Sequence, residues 1–112
     1  MGIGVLTKYR KHLSVTERTP IINLGEGDTP LVKSRNLGRG LGCDDLYFKL
    51  EGCNPTGSFK DRGMVVAVAK AMESKKTALL CASTGNTSAS AAAYGAYGGI
   101  PTTVVVPKNK IT

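Results

Sequence analysis

An α/β fold, an open parallel sheet with helices on both faces, is the architecture this sequence predicts, and three observations predict it. Segments of strand character alternate with helical ones in the order strand, helix, strand, helix, strand, which right-handed crossovers turn into a parallel sheet. Two of the strand candidates, TALLCA (77–82) and TTVVVP (102–107), are continuous apolar runs of the kind found when both faces of a sheet are covered. The second helical segment is built from alanine, serine and glycine, whose small side chains let a helix backbone lie close to a sheet.

The elements follow in order. Gly2 to Arg18 reads as a helix or arm that Pro20 breaks. Ile21 to Leu24 is a short apolar stretch, Gly25-Glu26-Gly27-Asp28 has turn chemistry, and Thr29 to Lys33 is a possible short strand. LGRGLG (37–42) is not a GxGxxG loop and follows no clear strand, so it reads as a short helix ending in glycines. Leu46 to Glu51 is a strand candidate, and Gly52-Cys53-Asn54-Pro55 is a turn. Thr56 or Ser58 can cap a helix running to about Lys76, in which Val65, Val68 and Met72 share one face. Asp61 near its start and Lys75 and Lys76 near its end suit the helix dipole. Thr77 to Ala82 is the next strand, Ser83-Thr84-Gly85-Asn86 a loop, and Thr87 to Tyr97 a helix ended by Gly98-Gly99. Thr102 to Val106 is a third strand of the series, and Pro107 to Thr112 has the look of an approach to another helix.

Composition narrows the class of protein. The chain has 112 residues, room for one small domain, with 41% hydrophobic and 21% charged residues, an ordinary globular balance. No apolar run has the length of a membrane span, and the N-terminus lacks the long apolar stretch of a secretion signal. The expectation is a cytoplasmic protein with no membrane partner. The net charge of +7 comes from scattered basic residues without interleaved aromatics, so no nucleic-acid partner is expected. Cys43, Cys53 and Cys81 are odd in number and form no CxxC, which suggests three reduced thiols and no metal site. His12 is the only histidine, and it reads as an exposed residue of a basic stretch.

Ligands of an open parallel sheet bind beyond the carboxyl ends of its strands, and two loops occupy that edge. One is Asn54 to Gly63 (NPTGSFKDRG); the other is Ser83 to Thr87 (STGNT). Each leads into a helix start, where free N–H groups and the dipole favour anions. Lys60 stands in such a first turn, where the dipole and burial both disfavour a cation. A neutral lysine amine is what Schiff-base chemistry needs. The plainer reading is a solvated surface lysine, and local features do not decide between the two. Ser83, Thr84, Asn86 and Thr87 gather four small hydrogen-bonding side chains at one helix start, a setting for a carboxylate or phenolate oxygen. A simple cap with polar neighbours is the alternative.

LEGCNPTGSFKDRG (50–63), STGNTSASAAAYGA (83–96) and GEGDTPL (25–31) together resemble the fold-type II, tryptophan synthase beta-like pyridoxal-phosphate enzymes, and among them the threonine synthase family. The resemblance covers most of the chain from Gly25 onward. It implies that Lys60 is catalytic and binds the pyridoxal 5'-phosphate. It also implies that Asn86 bonds the cofactor's 3′-oxygen, and that Ser83, Thr84, Asn86 and Thr87 receive the substrate carboxylate, with Thr87 near the substrate phosphate as well. Phe59 and Arg62 match the motif without an assigned role, and Cys53 reads as a packing residue. Members of the family are much longer, and nothing in this chain matches their glycine-rich cofactor-phosphate loop or the partner of the pyridine nitrogen. The resemblance therefore implies the N-terminal part of such an enzyme, an incomplete fold that is inactive alone. Residues 1–43 would pack on a larger domain and residues 44–112 would begin the smaller one, which carries the lysine.

The activity so implied is a lyase reaction of threonine biosynthesis, O-phospho-L-homoserine and water giving L-threonine and phosphate, in a homodimer acting on a phosphorylated amino acid. A threonine or serine dehydratase would keep the cofactor and change the reaction. A non-catalytic basic binding domain, or a truncated relative, is the alternative of another class.

Overall fold

In the computed structural model, which describes residues 2–109, the chain begins as an arm with two single turns. These are α1 (Val5–Lys8) and a 3₁₀ turn at Arg10–His12. Strand β1 (Leu31–Lys33) and the short helix α2 (Leu37–Gly40) precede strand β2 (Tyr47–Lys49). A 3₁₀ turn at Glu51–Cys53 leads to the long helix α3 (Lys60–Glu73). Strand β3 (Leu79–Ala82), helix α4 (Asn86–Tyr97) and strand β4 (Thr102–Val105) complete the order. The expectation for Pro107 to Thr112 falls partly outside the described residues, and Pro107 to Asn109 are not helical.

The parallel sheet is smaller than the alternation of elements predicts. β3 and β4 pair in parallel, from Leu79 against Thr102 to Ala82 against Val105, with α4 as the crossover between them. β2 does not join them; it pairs antiparallel with β1, Leu31 against Lys49 and Lys33 against Tyr47. The reason is local: the chain returns from α2 alongside a ready-made edge. Leu50 N–H donates to Pro30 C=O (2.9 Å), Ser34 N–H to Leu46 C=O (2.8 Å), and the Lys49 ammonium to Thr29 C=O (2.7 Å).

Helix α4 lies close on the face of the parallel pair that carries Leu79 and Thr102. A Cβ added at Gly95 would stand 1.9 Å from Thr102 Oγ1, so the backbone reaches the sheet where no side chain fits between them. The other face carries Leu80, 75% exposed, and Val105. The core lies between α3, α4 and the N-terminal arm. Val65, Val68 and Ala69 of α3 meet Tyr94 of α4 and Val5, Leu6 and Ile22 of the arm, with Met72 partly buried at the rim. The α3 stripe read from the sequence is thus the face that packs. His12 is exposed, and so is Cys53, which was expected to pack. Cys53 ends a 3₁₀ turn at the surface, beside the exposed Gly52 and near the exposed Pro55.

Helices α2, α3 and α4 stop in one way. The second residue beyond the last helical one takes a positive φ: Gly42 at 71°, Lys75 at 54° and Gly99 at 71°. Its N–H and the next one then close on the last turn. Gly42 and Cys43 donate to Arg39 and Gly38, Lys75 and Lys76 to Met72 and Ala71, Gly99 and Ile100 to Ala96 and Gly95, at 2.7 to 3.2 Å. This satisfies carbonyls that the helix end would leave bare. Glycine enters the left-handed region without steric cost, whereas lysine at position 75 does not. Lys75→Gly is therefore expected to stabilise the protein by about 0.5–1 kcal/mol, and Gly99→Ala to destabilise it by about 1 kcal/mol. Denaturant midpoints of the two variants, moving in opposite directions from wild type, check the pair.

Candidate active site

The loop before Lys60 is fastened from both ends. On its N-terminal side, Arg62 Nε donates to Glu51 Oε1 (2.6 Å) and Nη2 to Glu51 Oε2 (3.1 Å), a two-pronged ion pair. Arg62 Nη2 also donates to the Thr29 hydroxyl (3.2 Å), which in turn donates to Glu51 Oε2 (2.7 Å). Asn54 adds its amide to Glu51 Oε1 (2.9 Å), while its Oδ1 accepts the Gly27 N–H (2.9 Å). The Gly25 to Thr29 turn and the lysine loop therefore form one hydrogen-bonded body. Arg62 above all, helped by Thr29 and Asn54, holds the Glu51 carboxyl down at about 2, although partial burial pushes it the other way.

On its C-terminal side the loop is closed by Asp61, the second residue of α3. The Asp61 carboxylate accepts the Thr56 N–H (2.7 Å) and the Thr56 hydroxyl (2.5 Å), and Ser58 Oγ accepts the Lys60 N–H (3.3 Å). This corrects the expected helix start. Neither Thr56 nor Ser58 is the capping residue; Phe59 holds that position without a side-chain bond, and α3 begins at Lys60. Gly57, at φ 89°, turns the chain between them. Lys60 is half-buried, and its ammonium lies 5.2 Å from the centre of the exposed Phe59 ring. Such an arrangement screens one side of the amine with an aromatic face.

The second loop begins α4 one residue earlier than its pattern suggests. Gly85 is the capping residue and makes no side-chain bond, so Asn86 is the first helical residue, exposed, and is not a cap. Ser83 Oγ accepts the Gly85 N–H (3.2 Å), and the Ser88 hydroxyl donates to Gly85 C=O (2.7 Å), so these two serines hold the loop's own backbone. Ser83 and Thr84 line a cleft of about 480 Å³ at the carboxyl ends of β3 and β4, with Val105, Val106 and Pro107. Thr87 instead lines a cleft of about 380 Å³ between α3, β3 and α4, beside Met64, Val68 and Cys81. Lys60 lines neither.

What joins the two loops is a pair of buried residues. The Ser90 hydroxyl donates to Asp61 Oδ1 (2.6 Å), and both residues are wholly inaccessible. Ser90 stands one turn beyond Asn86 and Asp61 one residue beyond Lys60, so the first turn of α3 is tied to the second turn of α4. A further buried tie runs to the arm. The Tyr94 hydroxyl donates to Glu26 Oε1 (2.7 Å), and Val5 N–H donates to Glu26 Oε2 (3.2 Å). Burial, with the bond to Glu26, pushes the Tyr94 phenol above its ordinary range. Sequence reasoning gave Asp61 only a dipole role and Arg62, Ser90 and Glu26 none. Their charge or polarity within segments read as helix and turn was the available signal.

A family model described as pyridoxal-phosphate dependent enzyme matches residues 22–112. The threonine synthase of Halalkalibacterium halodurans is 57% identical over 108 residues, which is 96% of this chain and 30% of that protein. Over the same length and coverage, the threonine synthase of Bacillus sp. strain ULM1 is 56% identical and that of Mycobacterium tuberculosis 52% identical. The chain thus spans under a third of the length of these relatives.

The Glu51 pairing carries a pH signature. A carboxyl whose folded value, about 2, lies below its ordinary 4.5 contributes stability that is complete above about 4.5 and is lost as pH falls towards 2. Melting temperature should therefore fall across that interval, and Arg62→Ala should flatten the dependence while lowering the plateau. An unchanged acid profile in Arg62→Ala would show that the pair does not carry it.

Proposed function

We propose, from the premise that this chain belongs to the pyridoxal-phosphate-dependent enzymes, that it supplies the lysine and the asparagine loop of a threonine synthase. The reaction is the conversion of O-phospho-L-homoserine and water to L-threonine and phosphate. Identity above half with three threonine synthases supports the choice of reaction. The observation that carries the site is that Lys60 begins α3, Asn86 begins α4, and a buried bond ties the first turn of α3 to the second turn of α4.

The donor set suits the cofactor. Lys60 offers a primary amine to an aldehyde. The Asn86 side chain is not spent on capping its own helix and can donate to a ring oxygen. Lys60 would hold the aldehyde carbon and Asn86 the 3′-oxygen. The first turn of α4, with Ser83, Thr84 and Thr87, would receive the carboxylate of the amino-acid substrate, a use for which exposed N–H groups at a helix start are suited. When bound, the cofactor supplies an electron sink for charge developing at the substrate carbons. Lys60 Nζ then holds and moves protons at those carbons, and the loop residues fix the substrate's carboxylate so that the bond to be broken faces the amine. In the longer protein, residues 1–43 lie against the larger domain and residues 44–112 begin the smaller one.

Two experiments test the assignment. Borohydride treatment of the holoenzyme followed by peptide mapping is expected to place the pyridoxyl label on Lys60; label on another lysine sinks it. Asn86→Ala should lower turnover about 100-fold or more. Because Asn86 caps nothing, the same change should cost less than about 0.5 kcal/mol in stability. Phosphate release from O-phospho-L-homoserine, measured beside 2-oxobutyrate release from threonine, distinguishes the proposed reaction from a dehydratase.

A further inference from the structure

We infer that Asp61 is a positioning residue for Lys60, and that with Ser90 it sets the lysine loop in register with the asparagine loop. The inference rests on the reading of Lys60 as the cofactor lysine.

Asp61 is fully buried, and its two oxygens accept three bonds: Thr56 N–H on Oδ2, and the Thr56 and Ser90 hydroxyls on Oδ1. A buried carboxylate is costly even when every oxygen is bonded, and an apolar residue of similar volume would pack α3 on α4 at least as well. Packing alone therefore does not account for it. What an apolar residue lacks is direction. The bonds to Thr56 close residues 56 to 61 into a ring of chain in which Lys60 lies next to the closing residue. The bond to Ser90 anchors that ring to the helix that Asn86 opens. A rotation of α3 about its axis, or a slide along α4, would break at least one of the three bonds. The segments that carry Lys60 and Asn86 are thus linked through a single side chain that stays out of reach of any ligand.

The test compares wild-type holoenzyme with Ser90→Ala, Asp61→Asn and the double variant. Turnover should fall about 10- to 100-fold in each, the cost of a misplacement on the ångström scale, with KM within about twofold. The yield of pyridoxyl label on Lys60 after a brief borohydride pulse should fall with it. The double variant should fall little below Asp61→Asn, since both changes cut one connection. Normal turnover and normal labelling in both single variants, with only Tm lowered, would overturn the inference and leave Asp61 a stabiliser of helix packing. If Asp61→Asn does not fold, Ser90→Ala decides by the same two readings. Wild-type label on a lysine other than Lys60 would overturn both the inference and the assignment beneath it, whereas label on Lys60 that the variants do not alter overturns the inference alone.

Discussion

The paired contact between Arg62 and Glu51 is the interaction on which the rest of the site depends. A guanidinium and a carboxylate match in two bonds at once, so the contact fixes orientation as well as distance. Here it joins α3 to the turn before it, and through Thr29 and Asn54 it captures the Gly25 to Thr29 segment, more than twenty residues upstream. Both partners are only partly exposed, so removing one leaves the other with a charge it cannot fully solvate. The same upstream turn places Glu26 under Tyr94, so two carboxylates pin the arm to both long helices.

A second constraint comes from the helices themselves. The N-terminal end of α3 carries about half a positive elementary charge. The Asp61 carboxylate stands in that first turn, where it offsets the charge, and it accepts the Ser90 hydroxyl from the second turn of α4. Loop geometry, charge balance and helix packing therefore meet in one residue, next in sequence to the lysine.

Much of this was legible in the sequence. The helices of residues 60–73 and 86–97, the short helix in LGRGLG and the strands of residues 79–82 and 102–105 follow from periodicity, composition and glycine placement. The pairing of Leu46 to Glu51 was not legible, because alternation of elements reports their type and leaves their partners open. A nearby edge, Leu31 to Lys33, won over the distant parallel sheet. The start of α3 was also displaced, since Thr56 is drawn to Asp61 and Gly57 adopts a positive φ before the helix can begin. Lys60 and the asparagine loop stand at helix starts as their motifs suggest, but the ties between them were hidden. Burial of a polar side chain depends on what the fold brings opposite it, and no local pattern announces that Ser90 will face Asp61.

The seat of α4 on the sheet has a consequence for how this region can vary. Gly95 and Thr102 occupy a space that holds one side chain and no more. Any residue larger than glycine at position 95 must be matched by a smaller one at position 102, or the helix lifts and carries Asn86 with it. Change at position 95 is thereby made to wait on change at position 102. A side chain at position 95 is expected only where position 102 has become smaller, whereas position 102 can shrink alone.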